Sequence, residues 1–217
     1  MKVIAVNGSP RKQGNTSALL NKALEGAKSE GAETELFHLY DLNFKGCISC
    51  FACKRKNSRS IGHCSMQDGL TPVLEKILEC DVLLLGSPIY FGNVTGEMRS
   101  FLERLLFSNL TYNQGERSVF KGKISSGFIY TMNVPEAFIQ QIGYDALFQS
   151  TAKSLQLLKG PSEFILAADT YQFDDYSRYE ASGFDEKHKA QVRAEQFPLD
   201  CQKAFDLGAG LVRNQGL

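Results

Sequence analysis

A doubly wound α/β fold is what this chain predicts, and three observations carry the prediction. Five short apolar runs alternate with longer stretches of helical periodicity. The links between them are short, which favours right-handed crossovers between parallel strands. Several of the runs are apolar almost throughout, as strands covered on both faces must be.

The elements follow in order. "KVIAV" from Lys2 is the first strand, and "NTSALLNKALEGAKSE" the first helix, with Leu19, Leu20, Ala23, Leu24 and Ala27 at helical spacing. "TELFHL" from Thr34 is the second strand, followed by the helix "GLTPVLEKILEC". "DVLLLG" from Asp81 is the third strand, and its helix "TGEMRSFLERLLF" carries Met98, Phe101, Leu102, Leu105 and Leu106 on one stripe. Thr95 and Asn15 are the candidate N-caps. "SGFIYT" from Ser126 is the fourth strand. The helix "EAFIQQIGYDALFQSTAKSLQLL" follows and is stopped by Gly160-Pro161. "EFILAA" from Glu163 is the fifth strand, and a last helix near Glu186 to Val212 closes the chain.

Five strands and five helices predict a flavodoxin-like five-stranded parallel sheet, order 2-1-3-4-5, with helices on both faces. The length of 217 residues suits one domain over 1–217, with a cysteine-containing insertion at about 45–66 and a C-terminal extension at about 170–217. Lysine plus arginine and aspartate plus glutamate both total 24, so no basic footprint points to nucleic acid. No apolar run is long enough to cross a bilayer, and the opening "MKVIAVNGSP" is not a signal peptide. The expected location is therefore cytoplasmic, with the cysteines as reduced thiols or metal ligands. No histidine stands beside a candidate nucleophile and GxSxG is missing, which excludes the usual hydrolase arrangements.

Behind the first strand the chain reads "NGSPRKQGNTSALL" and turns directly into a helix. The first N–H groups of a helix have no partners within it, and with the helix dipole they form an anion site. Ser9, Thr16 and Ser17 add hydroxyls, while Arg11 and Lys12 can neutralise charge. The spacing fits neither GxxxxGK[ST] nor GxGxxG, which leaves a cradle for a terminal monophosphate. A plain capped helix would explain the glycine and Asn15, but not the crowding of hydroxyls and cations. After the third strand, "GSPIYFGNVTGEMRSFLER" places Pro88, Ile89, Tyr90, Phe91 and Gly92 in a turn at the carboxyl edge of the sheet. Two adjacent aromatics there suit a flat ring, with N–H groups near Gly92 and Asn93 at its rim; packing under a neighbouring loop is the alternative.

Together the two loops resemble the flavodoxin-fold NAD(P)H-dependent FMN reductases, especially their iron–sulfur flavoprotein branch. The resemblance runs from Met1 to about Leu106. It implies FMN as cofactor, with Ser9, Arg11, Asn15, Thr16 and Ser17 around the phosphate. It also implies that Pro88 to Asn93 flank the isoalloxazine ring and that Thr131, Met132 and Asn133 complete the pocket. NAD(P)H would be the co-substrate, and a flavin, quinone or similar small molecule the electron acceptor.

"GCISCFACKRKNSRSIGHC" sets Cys47, Cys50, Cys53 and Cys64 after the second strand. A CxxCxxC run resembles cluster-binding runs more than zinc sites. The iron–sulfur branch has a fourth cysteine after a shorter gap than the ten residues found here. A [4Fe–4S] cluster, zinc and free or redox-active thiols all stay open. Gly62 makes the reversal that would return Cys64 to the run feasible, and Lys54, Arg55, Lys56 and Arg59 would offset thiolate charge. Cys80 and Cys201 read as core residues. All strand-to-helix loops share one rim, so the cysteines are expected on the flavin side.

The functional expectation is an FMN-dependent oxidoreductase with no side chain needed as acid or base. An electron-transfer protein fed by ferredoxin, or a zinc-stapled binding module, are the rivals. The Met98–Phe101–Leu105–Leu106 stripe exceeds what one core face requires, so a homo-dimer or tetramer is expected. The aromatic, acidic stretch "DTYQFDDYSRYEASGFDEKHK" reads equally as loop, lid or contact.

Overall fold

Alternation of apolar side chains across one sheet builds the architecture. In the computed structural model, which describes residues 1–216, Ile4, Val6, Leu83, Leu85, Phe128 and Tyr130 face one core. Their neighbours Val3, Ala5, Val82, Leu84 and Ile129 face the other. Each fully buried aliphatic or phenyl side chain contributes about 1.5–3 kcal/mol, so both faces must be covered by helices.

The strands are β1 (Lys2–Asn7), β2 (Glu33–His38), β3 (Val82–Tyr90), β4 (Asn93–Val94), β5 (Ile124–Thr131) and β6 (Lys159–Ala167). The sheet runs β2-β1-β3-β5-β6, all parallel, with β4 paired antiparallel to β3. This is the expected flavodoxin-like path with one strand added. The addition is a hairpin of two residues, too short to leave a sequence pattern. Its turn is Phe91-Gly92, both at positive φ (49° and 77°), as a two-residue hairpin of this hand requires.

The helices are α1 (Asn15–Ser29), α2 (Thr71–Leu78), α3 (Gly96–Asn109), α4 (Glu136–Ile139), α5 (Tyr144–Leu155) and α6 (Glu186–Arg213). The single helix expected after β5 is therefore two. Gly143, at φ 76°, reverses the chain between them. Gly160 and Pro161 do not stop that helix either; they lie in β6, and the turn into it is made by Lys159 at φ 64°. Thr95 caps α3 as expected, accepting from Met98 N–H at 3.3 Å. Asn15 does not cap α1: Gly14 occupies the N-cap position.

Met98, Phe101 and Leu105 are buried in the core beneath the sheet, and Leu106 packs half-buried against it. The stripe that the sequence left over for a partner is thus consumed within the chain, because the cysteine insertion and the segment at Phe120 cover what a bare sheet would not. On the other face α1 and α6 cross at very short range. A Cβ added at Gly208 would lie 1.8 Å from the Ala23 carbonyl oxygen, and one at Gly26 would lie 2.0 Å from that of Phe205. This crossing carries the start of α6 to the rim where β1 ends. Among the described residues, no helix is long and apolar enough to cross a membrane.

Candidate functional site

A cavity of about 940 Å³ opens at the carboxyl ends of β1, β3 and β5. Ser9, Arg11, Lys12, Asn15 and Thr16 line its first wall, together with Gln13 and Gly14, which the sequence had not singled out. The loop holds itself in shape. Asn7 Oδ1 accepts from Ser9 N–H at 2.9 Å, and Ser9 Oγ accepts from Arg11 N–H at 3.1 Å. Gly8 N–H donates to Gly86 O at 2.8 Å, and a Cβ at Gly8 would meet Met98 at 2.8 Å, so only glycine passes there. The start of α1 has no side-chain cap and no acidic residue in its first turn. Its N–H groups therefore remain available to an anion. Ser17 is buried beneath the loop rather than on the cavity wall.

The cations serve differently from the expectation. The Arg11 guanidinium donates to Gln172 O at 2.6 Å, and Asn15 Nδ2 donates to Tyr171 O at 3.0 Å. Arg193, from α6, donates to Asn15 Oδ1 at 3.1 Å. Lys12 pairs with Asp41 at 2.7 Å. Arg11 and Asn15 thus clamp a crossing segment over the loop, while their charge and dipole still border the cavity.

The second wall holds Pro88, Ile89 and Tyr90. Phe91, Gly92 and Asn93 do not line it: Phe91 is fully exposed at the tip of the hairpin, and Asn93 Oδ1 accepts from Val94 N–H. The hairpin turn explains this, since positive φ at Phe91 swings its ring away from Tyr90. Thr131, Met132 and Asn133 form the floor. Thr131 Oγ1 and Thr16 Oγ1 lie 2.8 Å apart, joining the ends of β1 and β5. Asn133 Oδ1 is buried without a partner. An orphaned buried acceptor costs about 1–3 kcal/mol, and the N–H edge of a planar heterocycle would relieve it. An open helix N-terminus at one end and an orphan acceptor at the other fit a phosphate-bearing ring ligand such as FMN.

The third wall is the aromatic, acidic stretch that the sequence left open as loop, lid or contact. Thr170, Tyr171, Gln172, Phe173 and Asp174, with Tyr179 and Arg193, close the cavity. The aromatic richness of the stretch was its one sequence signal. Phe173 stacks on Tyr179 with centroids 4.0 Å apart, and the Tyr176 hydroxyl accepts from Gln172 N–H at 3.1 Å. The segment is anchored at Asp169, a non-glycine residue at φ 55°. Asp169 bonds His188 Nε2 at 2.6 Å and the buried Lys189 ammonium, which also donates to Asn133 O at 2.9 Å. Burial alone would raise the Asp169 carboxyl, but the bonds and charges of Lys189 and His188 outweigh it and hold it below the ordinary 3.8.

A depressed folded value stabilises the fold above the ordinary pKa, and that stability is lost as pH falls through the folded value. Asp169→Asn should therefore be less stable than wild type at neutral pH. It should also lose less stability on acidification below about pH 4. Urea unfolding from neutral pH into that range would show it; parallel pH profiles for the two proteins would refute the anchor.

The cysteines occupy a separate place. Cys47, Cys50, Cys53 and Cys64 all line a narrow cavity of about 20 Å³ against Arg104, Phe107 and Ser108 of α3. It shares no lining residue with the large cavity, so the expectation of one common rim is corrected. The insertion folds back along α3 instead of standing over β1 and β3. Gly62 makes the reversal at φ 83°, and Ser49, Phe51 and Asn57 also take positive φ. Burial pushes the Cys53 thiol up; the Lys54 charge offsets part of this, and nearby Cys64 and Cys50 add to it. Lys54 acts on the thiols through its charge without bonding them: its ammonium donates to the carbonyls of Phe107, Ser108 and Leu110 at the end of α3. The cation at the cysteines is Arg104, which donates to Cys64 Sγ at 2.9 Å. Among the described residues, no three acidic, histidine or cysteine side chains converge closely enough to hold a metal ion. Four thiols around one cavity match a thiolate-bound group in kind, and their present spacing does not hold a metal ion. Cys80 is buried, its thiol pushed up to about 12 by burial, and Cys201 is half-buried.

Comparison with known proteins converges on the first two walls. The profile of the NADPH-dependent FMN reductases matches residues 1–136. An iron–sulfur flavoprotein of Archaeoglobus fulgidus is 39% identical over 127 residues, covering 58% of this chain and 60% of that protein. One of Methanocaldococcus jannaschii is 40% identical over 104 residues, covering 48% and 51%. The matched stretch thus spans about half the length of these relatives. An NAD(P)H:quinone oxidoreductase from Methanothermobacter marburgensis superposes with TM-score 0.70 over 97% of this chain and 98% of its own, at 16% identity, a likeness of fold. The third wall and α6 lie beyond the matched profile, while the phosphate loop, the aromatic turn and the cysteines lie within it. On that footing the chain belongs to the NADPH-dependent FMN reductase family and resembles its iron–sulfur flavoprotein branch.

Proposed function

We propose that the chain is an FMN-dependent oxidoreductase that passes electrons from NAD(P)H through bound FMN to a flavin, quinone or similar small acceptor. The observation that carries this reading is the uncapped start of α1 facing the same cavity as Tyr90 and the orphan Asn133 acceptor. Bound FMN supplies hydride and electron transfer; the protein supplies binding, orientation and shelter from water. The N–H groups of α1 would hold the phosphate, Tyr90 and Met132 would border the ring, and the 170–174 segment would close the site. No side chain in the cavity is required as an acid or base. A homo-oligomer would complete the cover over the exposed Phe91 and Tyr90.

Anaerobically purified protein should bind one FMN per chain, and NADPH or NADH should bleach its visible band within the mixing time of a steady-state assay. Flavin-free protein that does not take up FMN would overturn the reading. A second reading rests on the four cysteines around one cavity: an iron–sulfur flavoprotein relaying electrons from a ferredoxin. It predicts about four irons per chain after anaerobic reconstitution, and flavin that reduced ferredoxin bleaches but nicotinamides do not. Zinc without iron would point to a stapled loop instead.

A further inference from the structure

Arg104 is the largest side chain buried to under 2% exposure, and nothing in the flavin cavity uses it. A buried guanidinium is costly unless its charge and its donors are all met. Here they are met by the cysteine insertion and by Asp68, two residues beyond it. Nη1 and Nη2 bond the two carboxylate oxygens of Asp68 at 2.7 and 3.3 Å. Nη1 also donates to Lys45 O at 3.0 Å, and Nη2 to Met66 O at 3.4 Å. Nε donates to Cys64 Sγ at 2.9 Å.

Lys45 stands two residues before Cys47, and Met66 two residues after Cys64. One fork of donors therefore joins the entry of the insertion, its exit and its last cysteine. That cysteine follows the longest gap in the set, so it is the one whose place the chain itself controls least. The helix bearing Arg104 is fixed at its start by Thr95, whose hydroxyl donates to Gly8 O at 2.7 Å in the phosphate loop. The cysteine loop is thereby referenced to the flavin end of the molecule through one rigid rod.

From this arrangement we infer that Arg104 is a positioning residue: it assembles the cysteine site before any metal enters and places Cys64 against the CxxCxxC segment. Its consequence for a cluster rests on the iron–sulfur reading above. A lysine cannot replace it, because one ammonium lacks the planar fork that reaches both carbonyls, the carboxylate and the sulfur together. An N–H···S bond to a ligand sulfur also raises a cluster's reduction potential, so Arg104 would tune as well as place.

The test uses the full-length FMN-loaded protein, with Arg104→Lys and Arg104→Met beside wild type. Without iron, trypsin cleavage at Lys54, Arg55, Lys56 and Arg59 should quicken at least tenfold in both variants, while FMN affinity stays within about threefold. After anaerobic reconstitution, both should retain less than half the wild-type iron. Whatever cluster remains in Arg104→Lys should have a lower midpoint potential, which a merely structural role would not produce. Wild-type cleavage rates in both variants overturn the inference. So do full iron and an unchanged potential. Should Arg104→Met fail to fold, Arg104→Lys keeps every arm. If wild type itself takes up no iron, the cluster reading fails, and the cleavage arm alone decides the positioning.

Discussion

Gly14→Asp should weaken FMN binding at least about a hundredfold while changing riboflavin affinity by less than about threefold, and should leave the protein's stability no lower. Gly14 is the N-cap of α1, with extended backbone (φ −82°, ψ −178°) that any residue can adopt. Its Cβ would sit 3.0 Å from Arg11 Cβ and 3.3 Å from Arg11 O, so the Arg11 backbone must give by a few tenths of an ångström, a strain that the new cap offsets. An aspartate there accepts from the first-turn N–H groups and stabilises an open helix start by about 1 kcal/mol. Those same N–H groups are the ones proposed for the phosphate. Losing two charge-assisted hydrogen bonds, at about 1.5–3 kcal/mol each, makes a hundredfold the lower bound of the loss, and repulsion between carboxylate and phosphate adds to it. Riboflavin has no phosphate and should barely register the change. Paired titrations of the two flavins, with urea unfolding of the apoprotein, decide the matter. Equal losses for both flavins would remove α1 as the phosphate site.

Gly208→Ala should cost about 3 kcal/mol or more, at the upper end of what overpacking does in a tight core. The added methyl would lie 1.8 Å from the Ala23 carbonyl, which is backbone and cannot swing aside. The two helices would have to part, and the start of α6 would move with them. Arg193 leaves Asn15 as a result, so FMN affinity should fall along with stability. Gly210→Ala, two residues along the same helix, meets nothing within 4 Å. It should stabilise by up to about 1 kcal/mol through helix propensity. If the two substitutions behave alike in denaturant, the close crossing is not there.

Much of the candidate cavity's lining was legible because it depends on local pattern. The phosphate loop lies in one stretch of ten residues, and the hydroxyls, the glycines and the helix that follows are all visible in order. Tyr90 and Asn133 were placed by the rule that strand ends share one edge. The same rule misled at Phe91, because a two-residue strand and a positive φ turned its ring outward. It misled again at the cysteines, where an insertion follows whatever surface holds it rather than the rim it left.

The sequence by itself determined the doubly wound sheet, its strand order, the hydroxyl-rich loop before α1 and the grouping of four cysteines in one stretch. Those follow from periodicity and from donors within a few residues of one another, which chain geometry alone brings together. Only the tertiary structure decided that Tyr171, Gln172 and Arg193 close the cavity, 156 or more residues beyond their partners in the phosphate loop. It likewise decided that Arg104, which no sequence pattern singled out, is the buried centre of the cysteine loop. Contacts across such separations depend on how α6 crosses α1 and how the insertion lies along α3. The glycines that permit those approaches leave no side chain in the pattern to announce them.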